Sequence, residues 1–136
     1  ERIGDHAINI ASRAQKLAED ETHFSQDALK EISIMESLCN NILDELIILD
    51  YDEFKNIVDK VDIMEDNIDK TQHQFTVNQL IRLKEKKCST ENSIIYTKIL
   101  TDFERIGDHG LNIAESLYHI RKIMKQMKMI KPEIEE

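Results

Sequence analysis

Eleven residues occur twice in this chain, and the duplication constrains the fold more than any other feature. Glu1-Arg2-Ile3-Gly4-Asp5-His6-Ala7-Ile8-Asn9-Ile10-Ala11 returns as Glu104-Arg105-Ile106-Gly107-Asp108-His109-Gly110-Leu111-Asn112-Ile113-Ala114. Nine of the eleven positions are identical, at an offset of 103 residues. Self-similarity at a fixed offset reports a duplicated structural unit before any propensity does. The chain therefore holds the closing stretch of one unit and the whole of the next.

Both copies read as helix. Ile99, Phe103, Ile106, Gly110, Ile113, Leu117, Ile120, Met124 and Met127 are spaced alternately by four and three, a sustained heptad seam. Ile3, Ala7, Ile10, Ala14 and Leu17 keep the same register in the first copy. Glu104, Asp108 and Asn112 are four apart and form one polar stripe, as do Glu1, Asp5 and Asn9. At about 100° per residue the stripe is expected roughly opposite the seam. A core requires a repeated seam, but not a repeated Glu, Asp and Asn set. That set reads either as a solvated face or as an oxygen-rich site for a hard cation or a partner. Gly107 costs about 1 kcal/mol against Ala in mid-helix, so a close helix–helix contact or another close backbone approach is expected there.

Few breakers (one Pro and three Gly) and a third of charged residues point to an almost wholly helical chain. The length suffices for one domain with its own core. A net charge of −9, with no evident concentration of Lys or Arg on one face, argues against nucleic acid and for cations or a basic protein surface. Cys39 and Cys88 make no CxxC pair or disulfide framework, and each reads as a small packing residue in a reducing compartment. No signal peptide and no apolar run of membrane-spanning length is present. The chain opens inside its own motif without an initiator Met, which reads as a piece of a longer polypeptide.

In order, residues 1–21 read as the closing helix of an upstream unit, with Glu19 to His23 as a link. Residues 24–130 read as a bundle of three long antiparallel helices, up-down-up, and 131–136 as an acidic tail. Ser25 is expected to cap the first helix of the bundle, with Phe24 packing back as a hydrophobic staple. Its seam is Ile32, Met35, Cys39, Ile42, Leu46 and Leu49, broken by a turn at Asp50-Tyr51-Asp52. The next helix, about 53 to 86, has the seam Phe54, Ile57, Val61, Met64, Ile68 and Phe75, with a looser stretch at Gln72-His73-Gln74. Lys84 to Lys87 suit its C-terminus, and Ser89 or Thr90 caps the last helix, which runs to about 129. The fold class is all-α: a three-helix bundle plus the last helix of a preceding repeat, packed on its side or end or against another chain.

A second acidic stripe, Asp59, Asp62, Asp66 and Asp69 with His73, runs along the middle helix, with Glu65 on its flank. Like charges at helical spacing repel by tenths of a kcal/mol per pair. Carboxylates converging from two helices are unfavourable alone and become a site with a metal ion. His6 and His109 each follow the motif Asp and read as electrostatic partners or ligands. No HExxH, phosphate loop, activated nucleophile or isolated carboxylate pair is present, so the chain reads as a non-enzyme.

The duplicated Glu-Arg-Ile-Gly-Asp-His-x-x-Asn-Ile-Ala element, on the last helix of three-helix units, resembles the PhoU family of phosphate-transport regulators, built from two such bundles in tandem. Phe24-Ser25-Gln26-Asp27-Ala28-Leu29-Lys30-Glu31-Ile32, and Arg82-Leu83 followed by Cys88, are most similar to the PhoU-like cytoplasmic region that follows the membrane part of bacterial sodium/phosphate cotransporters. The resemblance implies a metal site on the bundle surface: Glu104 and Asp108 meeting Asp62, and Glu1 and Asp5 as the other copy. Iron is the metal that it implies first, with Mn, Mg and Zn open. One departure stands out. The first acidic position of the middle helix falls at Val58, which has no ligand atom, although Asp59 is adjacent.

The resemblance thus implies a cytoplasmic regulatory domain in phosphate uptake, soluble itself but held at the inner side of the membrane as part of a sodium/phosphate cotransporter. One alternative is a free-standing PhoU-type negative regulator of an ABC phosphate importer and its sensor kinase. Another is a metal-free helical scaffold that docks a basic partner. The partner is then the membrane part of the same protein or a phosphate transporter complex, with a homodimer left open.

Overall fold

The computed structural model describes residues 1–47 and 56–130, with side chains to residue 127. Four α-helices account for almost all of them: α1 (Arg2–Glu19), α2 (Gln26–Ile47), α3 (Ile57–Lys84) and α4 (Thr90–Ile130). The turn expected at Asp50-Tyr51-Asp52, the seam positions Leu49 and Phe54, and the tail 131–136 lie outside the described residues.

The helix boundaries follow from local chemistry. Ser25 Oγ accepts the Ala28 N–H at 3.2 Å, and Ser89 Oγ accepts the Asn92 N–H at 3.1 Å. Each satisfies a first-turn donor that has no partner within its helix. Phe24, just ahead of α2, packs against the core and meets the Tyr96 ring edge-on, with centroids 5.6 Å apart. α1 and α3 end alike. Glu21 and Lys86 take φ of 52° and 57°. The following amides reach back, Thr22 to the Leu17 carbonyl and Lys87 to the Arg82 carbonyl. This is a Schellman closure. α3 continues unbroken through Gln72-His73-Gln74.

Contacts between helices establish the direction of each. Cys39 donates its thiol to the Phe103 carbonyl at 3.2 Å, while Asn92 near the start of α4 bonds the His23 carbonyl just ahead of α2. α2 and α4 therefore run the same way. Arg82 lies over Tyr96 while Ile68 faces Gly107, so α3 runs the opposite way. The bundle is up-down-up, as the seams imply. Its core is Met35, Cys39 and Ile42 from α2, Ile57, Val61 and Ile68 from α3, and Tyr96, Ile99, Leu100, Phe103, Ile106 and Ala114 from α4. Full burial of side chains of this size stabilises by about 1.5–3 kcal/mol each.

α4 touches each of the other three helices, and among the described helices it is α4 against which the backbone of α1 packs. Two glycines of the second motif copy allow the close packing. A Cβ on Gly107 would stand 3.0 Å from the Ile68 Cδ1 of α3, and one on Gly110 would overlap the Ile42 Cγ2 of α2. The matching Gly4 faces open space in this chain. On α1, only Leu17 of the expected seam is buried; Ile3 and Ile10 are half-buried, and Ala7 and Ala14 are exposed.

One buried polar knot ties the bundle together. The Glu31 carboxylate of α2 accepts Arg82 Nη2 at 2.7 Å, Asn78 Nδ2 at 2.7 Å and the Tyr96 hydroxyl. Burial alone would raise the Glu31 carboxyl; the bonds from Arg82, Tyr96 and Asn78 outweigh it and hold the group below its ordinary value. Burial, and after it the bond to Glu31, pushes the Tyr96 phenol up. Cys39 and Cys88 are the small packing groups expected. Burial raises the Cys39 thiol to about 12, and Cys88 sulfur accepts Gln79 Nε2 at 3.3 Å.

Candidate carboxylate site between the third and fourth helices

Close approach at Gly107 decides what lies beside it. Gly107 sits between Glu104 and Asp108, and Ile68, its neighbour across the interface, sits between Glu65 and Asp69. Acids three and four residues apart share a helix face, so this one contact brings two acidic faces together. Glu104 and Asp108 are half-buried there, with side chains 23% and 33% exposed. They lie on the flank of the seam that meets α3. The stripe expected opposite the seam is thus turned partway into the helix interface; only Asn112 is exposed.

The electrostatics are those of crowded like charges. Glu65 is raised to about 7, first by burial and then by the Asp69 charge, a hydrogen bond with Asp108, the Asp108 charge and the Asp62 charge. A hydrogen bond between two carboxyl groups requires that one of them carry the proton, and Glu65 is the one whose affinity for it is raised. Glu104 is also raised, by burial and the Asp108 charge, against which Arg105 pulls the other way; Asp69 adds to the rise. Arg105 reaches Asp108 at 3.0 Å and Glu104 at 3.5 Å. It is a single exposed guanidinium beside several carboxylates.

The expected residues fare unequally. Glu104 and Asp108 are brought to the α3 acids. Asp62 joins them through Glu65. Glu65, expected on the flank, is the centre of the cluster, and Asp66 turns away to pair with Lys70. The sequence carries one signal for this. Glu65 lies three residues before the seam position Ile68, three after Asp62 and four before Asp69, on the side of the seam that Gly107 meets. Glu1 and Asp5 stay exposed on α1. Val58 is half-buried, and the adjacent Asp59 is exposed.

In kind, the donor set Glu65, Asp69, Glu104 and Asp108 fits a hard cation, which takes carboxylate oxygen. Among the described residues, no three His, Cys, Asp or Glu side chains stand together at metal-holding geometry. What is gathered instead is a shared proton and an arginine.

A second polar contact joins the two motif copies. Asp102, 6% exposed, accepts His6 Nδ1 at 2.8 Å, Asn9 Nδ2 at 3.5 Å and Arg13. His6 thus pairs with a carboxylate on α4, not with the Asp5 beside it. His6 also stacks on His109, its own counterpart in the other copy, with centroids 5.6 Å apart. Equivalent positions of the two copies thus meet each other. Asp102 lies outside the repeated eleven residues, and its role had no sequence signal.

A family model described as PhoU domain matches residues 32–117. The phosphate-specific transport system accessory protein PhoU homolog 1 of Thermotoga maritima is 29% identical over 128 residues, covering 93% of this chain and 54% of the relative. The corresponding PhoU homolog of Clostridium acetobutylicum is 26% identical over 125 residues, covering 88% and 53%. The chain spans about half the length of the curated relatives it matches. No solved structure matches it. The duplicated motif, the three-helix bundle that carries it and the match over most of that bundle agree: this chain belongs to the PhoU family.

Proposed function

We propose that this chain acts as a non-enzymatic helical regulator of phosphate uptake that works beside a separate phosphate transporter, rather than as the tail of a sodium/phosphate cotransporter. The observation that carries this reading is the likeness, over nearly the whole chain, to two relatives that are both named as accessory proteins of phosphate-specific transport systems. Two further observations are compatible with it. No described helix is long and apolar enough to cross a membrane, and the stretches that resemble the cotransporter subgroup have a packing role. Glu31, Arg82 and Cys88 belong to the buried knot that ties α2, α3 and α4 together.

Membranes of the native cell provide the test. The parent polypeptide is expected to leave them in a carbonate wash and, unwashed and in mild detergent, to co-purify with subunits of a phosphate importer. Retention through carbonate would make it part of an integral transporter and overturn the reading.

In the same reading the α3–α4 carboxylates hold a metal ion. Glu104, Asp108 and Glu65 would be the ligands, with Asp62 and Asp69 beside them. An ion there would take the place of the shared proton and neutralise the repulsion between α3 and α4. Iron is the first candidate, followed by Mn, Mg or Zn. Elemental analysis of protein purified without chelator is expected to find metal that Glu104→Ala/Asp108→Ala lacks. Wild-type protein as metal-free as the variant would leave the scaffold reading.

A further inference from the structure

The offset of 103 residues maps α1, Arg2–Glu19, onto Arg105–Lys122 of α4. α4 nevertheless continues to Ile130, and the family match ends at Leu117. The turns after Leu117 therefore lie beyond the family match, and those after Lys122 lie beyond the repeat as well. Their composition is unlike the rest of the chain. Arg121, Lys122, Lys125, Lys128 and Lys131 follow one another with no intervening acid, whereas the other thirteen Lys and Arg are set against all twenty-seven Asp and Glu. No basic face was expected from the sequence, and here there is one.

The same turns carry an apolar ridge. Ile120, Ile123, Met124 and Met127 are 50%, 55%, 43% and 64% exposed. At 100° per residue, Leu117, Ile120, Ile123, Met124 and Met127 fall within an arc of about 120°. Arg121, Lys122 and Lys125 occupy the neighbouring arc, and with Tyr118 they line a shallow open notch. A cation in the last turn suits the helix dipole. That cause does not reach back to Arg121, nine residues before the helix ends, and does not explain exposed Ile and Met beside it.

We propose that the α4 extension, residues 117–130, is a peripheral docking helix for an anionic lipid surface. The apolar ridge would enter the acyl boundary while Arg121, Lys122 and Lys125 pair with headgroup phosphates. Both requirements of an interfacial helix are met side by side: an apolar face, and a basic face on a segment with no acid of its own. Charge complementarity selects the surface. Residues 117–130 carry positive charge alone, whereas the remainder of the chain, Glu133, Glu135 and Glu136 included, is strongly acidic, so an anionic bilayer attracts this segment and repels the rest. The inference is independent of the accessory reading, because a helix held in this way is stripped by carbonate.

The test is co-sedimentation of the whole chain with vesicles of equal parts phosphatidylcholine and phosphatidylglycerol, beside vesicles of phosphatidylcholine alone. Binding is expected only to the anionic vesicles, and it should weaken steeply as salt shortens the screening length. Arg121→Glu/Lys122→Glu/Lys125→Glu should lose about 100-fold or more in affinity. Ile123→Ser/Met127→Ser, which keeps every charge, should lose about tenfold. Far-UV circular dichroism of both variants is expected to match the parent, since Lys122, Ile123, Lys125 and Met127 are exposed and Arg121 is only half-buried. Several results would overturn the proposal: no binding to anionic vesicles, equal binding to neutral ones, no loss on charge reversal, or an apolar variant that binds as well as the parent. So would displacement by millimolar inorganic phosphate or duplex DNA at matched ionic strength, or a charge-dependent dimer that leaves the vesicles unbound.

Discussion

α3 and α4 meet at two carboxylate centres, and the two are opposites. At one end, Glu31 sits among Arg82, Asn78 and Tyr96, and every oxygen has a donor. Further along, Glu65, Asp69, Glu104 and Asp108 face each other, and the exposed Arg105, with a smaller contribution from His6, offsets them in part. The first carboxyl is held below its ordinary value, whereas Glu65 and Glu104 of the second set are raised. A matched charge holds the fold together. A crowd of unmatched charges costs stability.

The sharpest way to break the comparison is to unmatch the first centre. Arg82→Ala leaves Glu31 buried without its cation and is expected to cost about 3–5 kcal/mol, read from the midpoint of urea unfolding. A loss under about 1 kcal/mol would mean that the knot is not a clamp at all. Next in size is the opposite experiment. Glu104→Ala/Asp108→Ala removes two crowded acids, so chelated protein should be unchanged or more stable by about 1 kcal/mol, while any bound metal is lost. A large loss of stability would make these acids structural.

pH separates the two centres by sign. Glu65 is raised from 4.5 to about 7, so the folded chain binds its proton more tightly than the unfolded chain does. The stability it contributes is fully present below about 4.5 and is lost as pH rises through about 7. Glu31 is lowered, so its contribution is present above 4.5 and is lost as pH falls through its folded value. With chelator present, Glu65→Gln should therefore flatten the decline between pH 5 and pH 8. After discounting for solvent screening, its gain at pH 8 is on the order of 1 kcal/mol. A parallel pH profile for the variant would remove Glu65 from the cluster. The smallest effect is expected at Gly107→Ala. The new Cβ meets the far end of the Ile68 side chain at 3.0 Å, and a small packing cost is offset by better helix propensity, within about 1 kcal/mol. Its use lies elsewhere: by pushing α3 from α4 it should bring Glu65 back toward an ordinary carboxyl pKa, visible by NMR titration.

Much of this was legible in the residues, because it is periodic or local. The seams name Met35, Cys39, Ile42, Val61 and Ile68 correctly. Ser25 and Ser89 cap where their hydroxyls demand, and the duplicated motif announces a repeat and the two acids that α4 turns toward α3. What stayed hidden depends on partners far away along the chain. Glu31 and Tyr96 are 65 residues apart, and His6 and Asp102 are 96 apart. Neither pairing follows from spacing. Glu65 was misplaced for a subtler reason. Helix periodicity fixes which residues share a face, but the azimuth at which α3 rolls onto α4 is set by Gly107 and Ile68. That roll turns a flank into the centre.

α4 meets α1, α2 and α3 along its length, and among the described helices it is α4 against which the backbone of α1 packs. The molecule is thus built like an axle with three arms fixed to it. Any rotation of the axle that accommodates an ion between α3 and α4 must also turn the His6–His109 stack and the Asp102 anchorage of α1. A twist begun at one arm has no slack in which to die away, so hydrogen exchange along α1 is the distant place where occupancy of the carboxylate centre would be felt.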